Sequence, residues 1–249
     1  MKLILMADGN VGRSVYEYLK TNFPEDIAMV VTVKDNPLYV KSSADGFPTS
    51  VFVSDDILLK DLRRHEPPDG YDLGLLAWWP KILSKPIFGL PKKSFINFHP
   101  SLLPHNRGKH YNFWVIVEQA PFGVSLNFVE SGVDTGDILA QRTIAYDWTD
   151  TGKTLYEKAQ KEICDLFYMV YPRIHLGKFN RIPQDLSKGS FHSAKELEPA
   201  CLIELDKTYR ARDILNLIRA RTFSGYPACS FIDNNQKYEV RIEISKVEP

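Results

Sequence analysis

The stretch KLILMADGNVGRSVYEYLKTNF, residues 2–23, decides the fold. Its first part, KLILMA (2–7), is an unbroken apolar run, as a strand covered on both faces requires. Val11, Val15, Tyr16, Leu19 and Phe23 then recur at helical spacing, so a strand leads straight into an amphipathic helix. Gly9 and Gly12 lack the third glycine and the closer spacing of a dinucleotide loop, and read as a glycine turn that opens the helix. The alternation continues outward. IAMVVTV (27–33), YDLGLLAW (71–78) and FINF (95–98) are further apolar strands, and SDDILLKDLRRHE (54–66) reads as a helix with Ser54 as N-cap and acidic residues in its first turn. Strands alternating with helices predict an α/β architecture: a Rossmann-like, doubly wound, mainly parallel sheet.

Downstream, HYNFWVIVEQ (110–119) fits a buried helix and GVSLNFVE (123–130) a strand in which Val124, Leu126 and Phe128 alternate with Ser125 and Asn127. A short SGVDTGD loop leads to a further strand, ILAQRTIAY (138–146). TDTGKTLYEKAQKEICDLFYMVYPRI (149–174) carries the longest helical pattern and closes an expected first domain of residues 1–180. GKFNRIPQDLSKGSFH (177–192) is polar and turn-rich, and reads as a connection. Residues 181–249 are expected to form a small C-terminal α+β subdomain with a helix at ARDILNLIRART (211–222) and a hairpin at CSFIDNNQKYEVRIEIS (229–245) turning at Asp233-Asn234-Asn235. Along 236–246, Tyr238, Val240, Ile242 and Ile244 alternate with Glu239, Arg241 and Glu243; an apolar face on so short a terminal hairpin predicts a two-fold homodimer.

The composition is that of a globular chain, 44% hydrophobic and 25% charged. Lys plus Arg equals Asp plus Glu at 31 each, so no long-range basic field invites nucleic acid or an anionic membrane. The N-terminal apolar run breaks at Asp8, too early for a signal peptide, and no run approaches the roughly 20 residues of a membrane span. The expected location is the cytoplasm. Cys164, Cys201 and Cys229 are odd in number and show no CxxC, which argues against a disulfide framework and a zinc site; no metal is expected.

Chemistry concentrates in FINFHPSLLP (95–104). In a strand Phe95, Asn97 and His99 share one face while Ile96 and Phe98 point the other way. Pro100 cannot continue a ladder, so the amide and the imidazole sit at the carboxyl end of the strand, where open α/β sheets bind ligands. GVDTGDI (132–138) supplies Asp134 between two apolar strands. A carboxylate beside an imidazole favours its charged form, which makes Asp134 the natural partner of His99. Amide, imidazole and carboxylate together form an acyl-transfer constellation.

NFHPSLLPHNRG (97–108) followed by GVSLNFVESGVDTGDI (123–138) resembles the signature of the N10-formyltetrahydrofolate-dependent formyltransferases: Asn-x-His, Ser-Leu-Leu-Pro, then an Asp-containing glycine loop. The resemblance runs from the first strand to about residue 175. It implies Asn97, His99 and Asp134 as catalytic residues, N10-formyltetrahydrofolate as co-substrate and no metal. It also implies a pterin site along LLAWWPKIL (75–83), with Leu76, Trp78, Trp79 and Leu83, joined by Val133 and Asp137 of the glycine loop. RGKHYNFW (107–114) and IRARTFSGYPACSF (218–231) look like the sugar N-formyltransferases, which implies a nucleotide-linked amino deoxysugar, of dTDP type, as acceptor. Arg107, Lys109, His110 and Arg221 are then candidates for its phosphates, and Phe223 and Tyr226 for its base. Two departures weigh against other acceptors known in this family. ADGNVG replaces the serine-containing loop of the glycinamide ribonucleotide enzymes, and the C-terminal part is smaller and less basic than in the methionyl-tRNA enzymes. A formyltetrahydrofolate hydrolase and a non-catalytic folate or nucleotide-sugar binding module remain as rival readings.

Overall fold

The computed structural model describes residues 1–247. The chain divides into two compact units, one made of residues 1–99, 125–141 and 160–184, the other of 100–124, 142–159 and 185 onward. In chain order the elements are β1 (Leu3–Ala7), α1 (Gly9–Asn22), β2 (Ile27–Thr32), α2 (Pro37–Ala44), β3 (Thr49–Val51), α3 (Asp55–Arg64), β4 (Leu73–Ala77), α4 (Lys85–Phe88) and β5 (Phe95–His99). There follow β6 (Arg107–Gly108), α5 (Tyr111–Glu118), β7 (Gly123–Phe128), β8 (Ile138–Thr143), α6 (Gly152–His175), β9 (Phe191–His192), α7 (Leu197–Ala200), α8 (Ala211–Arg221), β10 (Cys229–Asp233) and β11 (Gln236–Val240).

The main sheet has the order β3-β2-β1-β4-β5-β7-β8. From β3 to β5 every pairing is parallel, and β7 runs antiparallel to β5. The chain therefore winds outward in both directions from β1 and β4, which places the switch point of the sheet between them. Every residue of β1 and of β4 is buried, the reason these strands are uninterrupted apolar runs. Gly12 lets α1 pack closely: a Cβ there would lie 2.9 Å from the carbonyl carbon of Ala7. α3 starts as its sequence demands, with the Ser54 hydroxyl accepting from the Ile57 N–H at 3.5 Å, Asp55 and Asp56 in the first turn and Arg63 and Arg64 in the last. Its Leu58 and Leu62 join Ile4, Met6, Met29, Val31 and Tyr71 in one core cluster.

Two elements of this unit carry no strong sequence signal. α2 has only Leu38 and Ser42 buried, too few for an apolar stripe, and is started by Pro37 together with the Asn36 side chain, which accepts from the Leu38 N–H at 2.9 Å. β3 is three residues long. The 177–192 segment, expected as a connection, also contributes β9, and its Ile182 exchanges both backbone hydrogen bonds with Ile138 at 2.8 and 2.9 Å.

In the second unit β10 and β11 form the expected hairpin, with Asn234 and Asn235 at φ 48° and 63°, the left-handed pair that a tight hairpin turn needs. The second strand stops at Val240 and does not reach residue 246. Val240 pairs with Cys229, so the position opposite Ile242 belongs to Pro227, which has no N–H for the ladder. Among the described residues no helix is long and apolar enough to cross a membrane.

Candidate active site

β5 is packed on both faces. Phe98 is buried and packs on Phe167 of α6 with ring centroids 5.0 Å apart, and Phe95 lies in the core cluster. Asn97 and His99 are thereby fixed on one face at the carboxyl end of the strand, opposite Asn127 and Ser125 of β7.

The glycine loop after β7 brings in the carboxylate. The Phe128 N–H donates to the Asp137 carbonyl at 2.9 Å, and a side chain at Gly136 would run into the Phe128 carbonyl oxygen. Asp134 itself has φ 53°, a left-handed conformation that aspartate tolerates better than most residues. Its Oδ1 accepts from Asn97 Nδ2 at 3.1 Å, and its Oδ2 lies 3.5 Å from His99 Nδ1. The structure thus brings together all three residues that the sequence singles out.

Asn97 Nδ2 also donates to Asn127 Oδ1 at 3.4 Å, and Asn127, almost fully buried, donates in turn to the Phe128 carbonyl at 3.2 Å. Both N–H bonds of Asn97 thus face protein acceptors. A carbonyl oxygen bound here would take the longer and weaker of the two, the one now given to Asn127. Asn127 lies on the polar face of the β7 pattern, but its role depends on register with β5, which the sequence does not reveal. Gln184 was missed altogether: its Nε2 donates to the carbonyls of Asp134 at 3.0 Å and of Gly136 at 2.6 Å.

The residues expected to line a pterin divide into two groups. Leu76 and Leu83 are buried in the core cluster, and Trp79 packs against that cluster and sits edge-on to Phe52 at 5.7 Å. Trp78, at the end of β4, has φ 62°, unusual for so bulky a residue and a form of strain that functional sites concentrate. Val133 is exposed and Asp137 half-buried in the glycine loop.

In the second unit, β6 pairs with β9 through Arg107–Phe191 and Gly108–His192, and the Lys109 N–H donates to the His192 carbonyl at 2.9 Å. Glu118 anchors this segment: its Oε1 lies 2.7 Å from His192 Nε2 and its Oε2 accepts from Asn106 and Ser190 at 2.8 and 2.9 Å. His192 stacks on Trp114 with ring centroids 3.9 Å apart. Residues 106–109 are thus tied by hydrogen bonds before α5.

Burial, reinforced by the charges of Arg221 and Lys109, holds the His110 imidazole below its ordinary pKa, which favours its neutral form. Arg221 therefore acts electrostatically on the same imidazole as Lys109. It is not a free cation, because its Nη2 pairs with Glu198 at 2.6 Å, while its Nε and that of Arg107 are buried without partners. Phe223 lies between Tyr156 and Tyr226, at 5.5 and 4.8 Å. Tyr226 is 59% exposed. Among the described residues no group of three or more His, Cys, Asp or Glu could hold a metal ion.

Residues 1–170 match the model of the formyl transferase family, and residues 196–246 that of the N-formyltransferase dimerization C-terminal domain. Among solved structures, the chain is similar to a 4-N formyltransferase from Francisella tularensis, at 24% identity over 99% of this chain and 98% of that one, with a TM-score of 0.80. It is also similar to an N-formyltransferase from Helicobacter canadensis, solved with folinic acid and dTDP-3-aminofucose, at 20% identity, 95% and 86% coverage and a TM-score of 0.71. A formyltransferase from Anoxybacillus kamchatkensis, in complex with UDP-4,6-dideoxy-4-formamido-L-AltNAc and tetrahydrofolate, matches at 25% identity, 87% and 97% coverage and a TM-score of 0.60.

Proposed function

The chain belongs to the formyl transferase family, and on that premise we propose that it moves a formyl group from N10-formyltetrahydrofolate to the primary amine of a nucleotide-linked, dTDP-type amino deoxysugar. The observation that carries this reading is the meeting of Asn97, His99 and Asp134 at the carboxyl end of β5, with contacts of 3.1 and 3.5 Å.

Bound N10-formyltetrahydrofolate supplies a formyl carbon open to attack by an amine. Asn97 donates an N–H to the formyl oxygen, on which negative charge grows as the amine adds, an interaction worth roughly 3 kcal/mol when preorganised. His99 takes the proton from the attacking amine or adds a second contact to the same charge, Asp134 orients and polarises the imidazole, and the bond from the formyl carbon to N10 then breaks, N10 taking up the proton lost by the amine so that tetrahydrofolate leaves. Trp78, Val133 and Asp137, with the backbone groups at the end of β4, fit a flat heterocycle edged with donors and acceptors. Leu76, Trp79 and Leu83 support that strand end from the core.

Relatives of similar fold are solved with dTDP- and UDP-linked sugars, which supports a nucleotide-linked acceptor. The balance of 31 basic and 31 acidic residues supports a small acceptor over tRNA. In the second unit, Arg107, Lys109 and His110 are assigned to the phosphates, with Arg221 held in place by Glu198, and the exposed ring of Tyr226 to the base, with Phe223 as its support. Stacking on one base is worth about 1–3 kcal/mol, so Tyr226→Ala is expected to raise the acceptor KM roughly tenfold. The folate KM stays unchanged. An unchanged acceptor KM in a normally folded Tyr226→Ala protein means that the base binds elsewhere.

The C-terminal match supports a two-fold homodimer built through β10 and β11, where Tyr238 is 46% exposed and stacks on Phe231 at 5.3 Å. Light scattering is expected to give twice the chain mass and to show dissociation of Tyr238→Lys. A monomeric wild type rejects this assembly.

A further inference from the structure

We propose that Gln184 is a positioning residue for the reaction, its carboxamide latching the backbone of the 132–137 loop so that the Asp134 carboxylate is held against Asn97 and His99. The inference rests on the catalytic reading of Asp134.

The loop is tied at its far end, where the Asp137 carbonyl accepts from the Phe128 N–H at 2.9 Å, but its first half packs against little. Ser131, Gly132 and Val133 are exposed, and at Gly136 the close approach to the Phe128 carbonyl leaves no room for a side chain that could pack. Asp134 is left-handed, at a cost of roughly 1–2 kcal/mol for a residue with a Cβ. A segment whose first half is exposed and runs into a left-handed residue drifts unless something fixes it.

The 181–184 segment, far along the chain after α6, supplies the fixation. Arg181 lies over the Phe128 ring at 3.8 Å and donates to the Lys93 carbonyl at 3.3 Å. Ile182 forms its two backbone bonds with Ile138 at the base of the loop. Gln184 completes the strap: one amide nitrogen, with two N–H bonds, spans the carbonyls of Asp134 and Gly136 at 3.0 and 2.6 Å. The chemistry fixes the orientation of the carboxamide, since its oxygen in that place would face two carbonyl oxygens. Because the Asp134 carbonyl belongs to the residue that presents the carboxylate, releasing it lets the left-handed residue turn and carries the carboxylate away from His99.

The test compares Gln184→Met, which keeps the length and loses both donors, with Gln184→Lys, which keeps donors. A displacement of about 1 Å can cost a hundredfold in rate, so Gln184→Met is expected to lower kcat by on the order of tenfold to a hundredfold with the acceptor KM within about a factor of three. Gln184→Lys is expected to recover most of that loss, which a purely structural defect would not permit. Amide hydrogen exchange of residues 132–137, measured without substrate, is expected to speed up in Gln184→Met and to return towards wild type in Gln184→Lys. A Gln184→Met enzyme with wild-type kcat, or a loop that exchanges as fast in Gln184→Lys as in Gln184→Met, overturns the latch. A wild type that exchanges as expected but transfers no formyl group instead sinks the functional reading and leaves the loop mechanics standing.

Discussion

His99→Ala is expected to lower turnover at saturating substrates by on the order of a hundredfold or more while leaving the fold intact, and Asn97→Ala and Asp134→Ala are expected to do the same. The magnitude follows from what each side chain touches. Asn97 offers the only side-chain amide on this face of β5, His99 lies 3.5 Å from the carboxylate that orients it, and Asp134 contacts both. None of the three is a large apolar core residue, so far-ultraviolet circular dichroism and the unfolding midpoint should change little. Because the groups act as a unit, the Asn97→Ala, His99→Ala double variant should lose much less than the product of the single losses. Turnover within tenfold of wild type in His99→Ala contradicts the assignment.

Arg219→Ala carries the largest expected loss of stability. Arg219 is almost fully buried in the second unit. Its Nη1 donates to the carbonyls of Asp147 at 2.7 Å and Asp150 at 2.9 Å, its Nε donates to Asn216 Oδ1 at 2.9 Å, and its guanidinium lies 4.8 Å from the centre of the Trp148 ring. The variant strands two buried acceptors, the Asp150 carbonyl and Asn216 Oδ1, and opens a cavity beside an aromatic ring. Leaving buried polar groups unsatisfied costs about 1–3 kcal/mol each, so a net loss of roughly 3 kcal/mol is expected in urea denaturation. Arg219→Lys should restore little, because an ammonium cannot reproduce the planar fork that meets both carbonyls and Asn216. A loss below about 1 kcal/mol in Arg219→Ala would mean that water or a neighbouring side chain replaces the guanidinium.

What the sequence makes legible depends on whether a signal is local. β1 and β4 are readable because strands buried on both faces must be apolar at every position. Asn97 and His99 are readable because the period of a strand puts them on one face, and Asp134 because a charged residue in a glycine-flanked loop between apolar strands needs a reason to be there. α2 and β3 escape because they are short and bury too few residues to leave a period. Trp79 and Leu83 show the opposite difficulty: an apolar residue at a strand end has the same identity whether it faces a ligand or the core, and here Leu83 lies in the core and the half-buried Trp79 packs against it. Gln184 has no local signal at all. A carboxamide that meets two peptide carbonyls nearly fifty residues back in the chain is visible only when the chain has folded.

The most direct test of the account is the fate of the formyl group when the purified protein is given N10-formyltetrahydrofolate with and without a dTDP-linked amino deoxysugar, followed by mass spectrometry of the sugar and assay of free formate. Formylation of the sugar amine and release of tetrahydrofolate in equal amount are expected, both dependent on the acceptor and both lost in His99→Ala. Formate released at the same rate without acceptor, with the sugar unmodified, contradicts it and identifies water as the nucleophile.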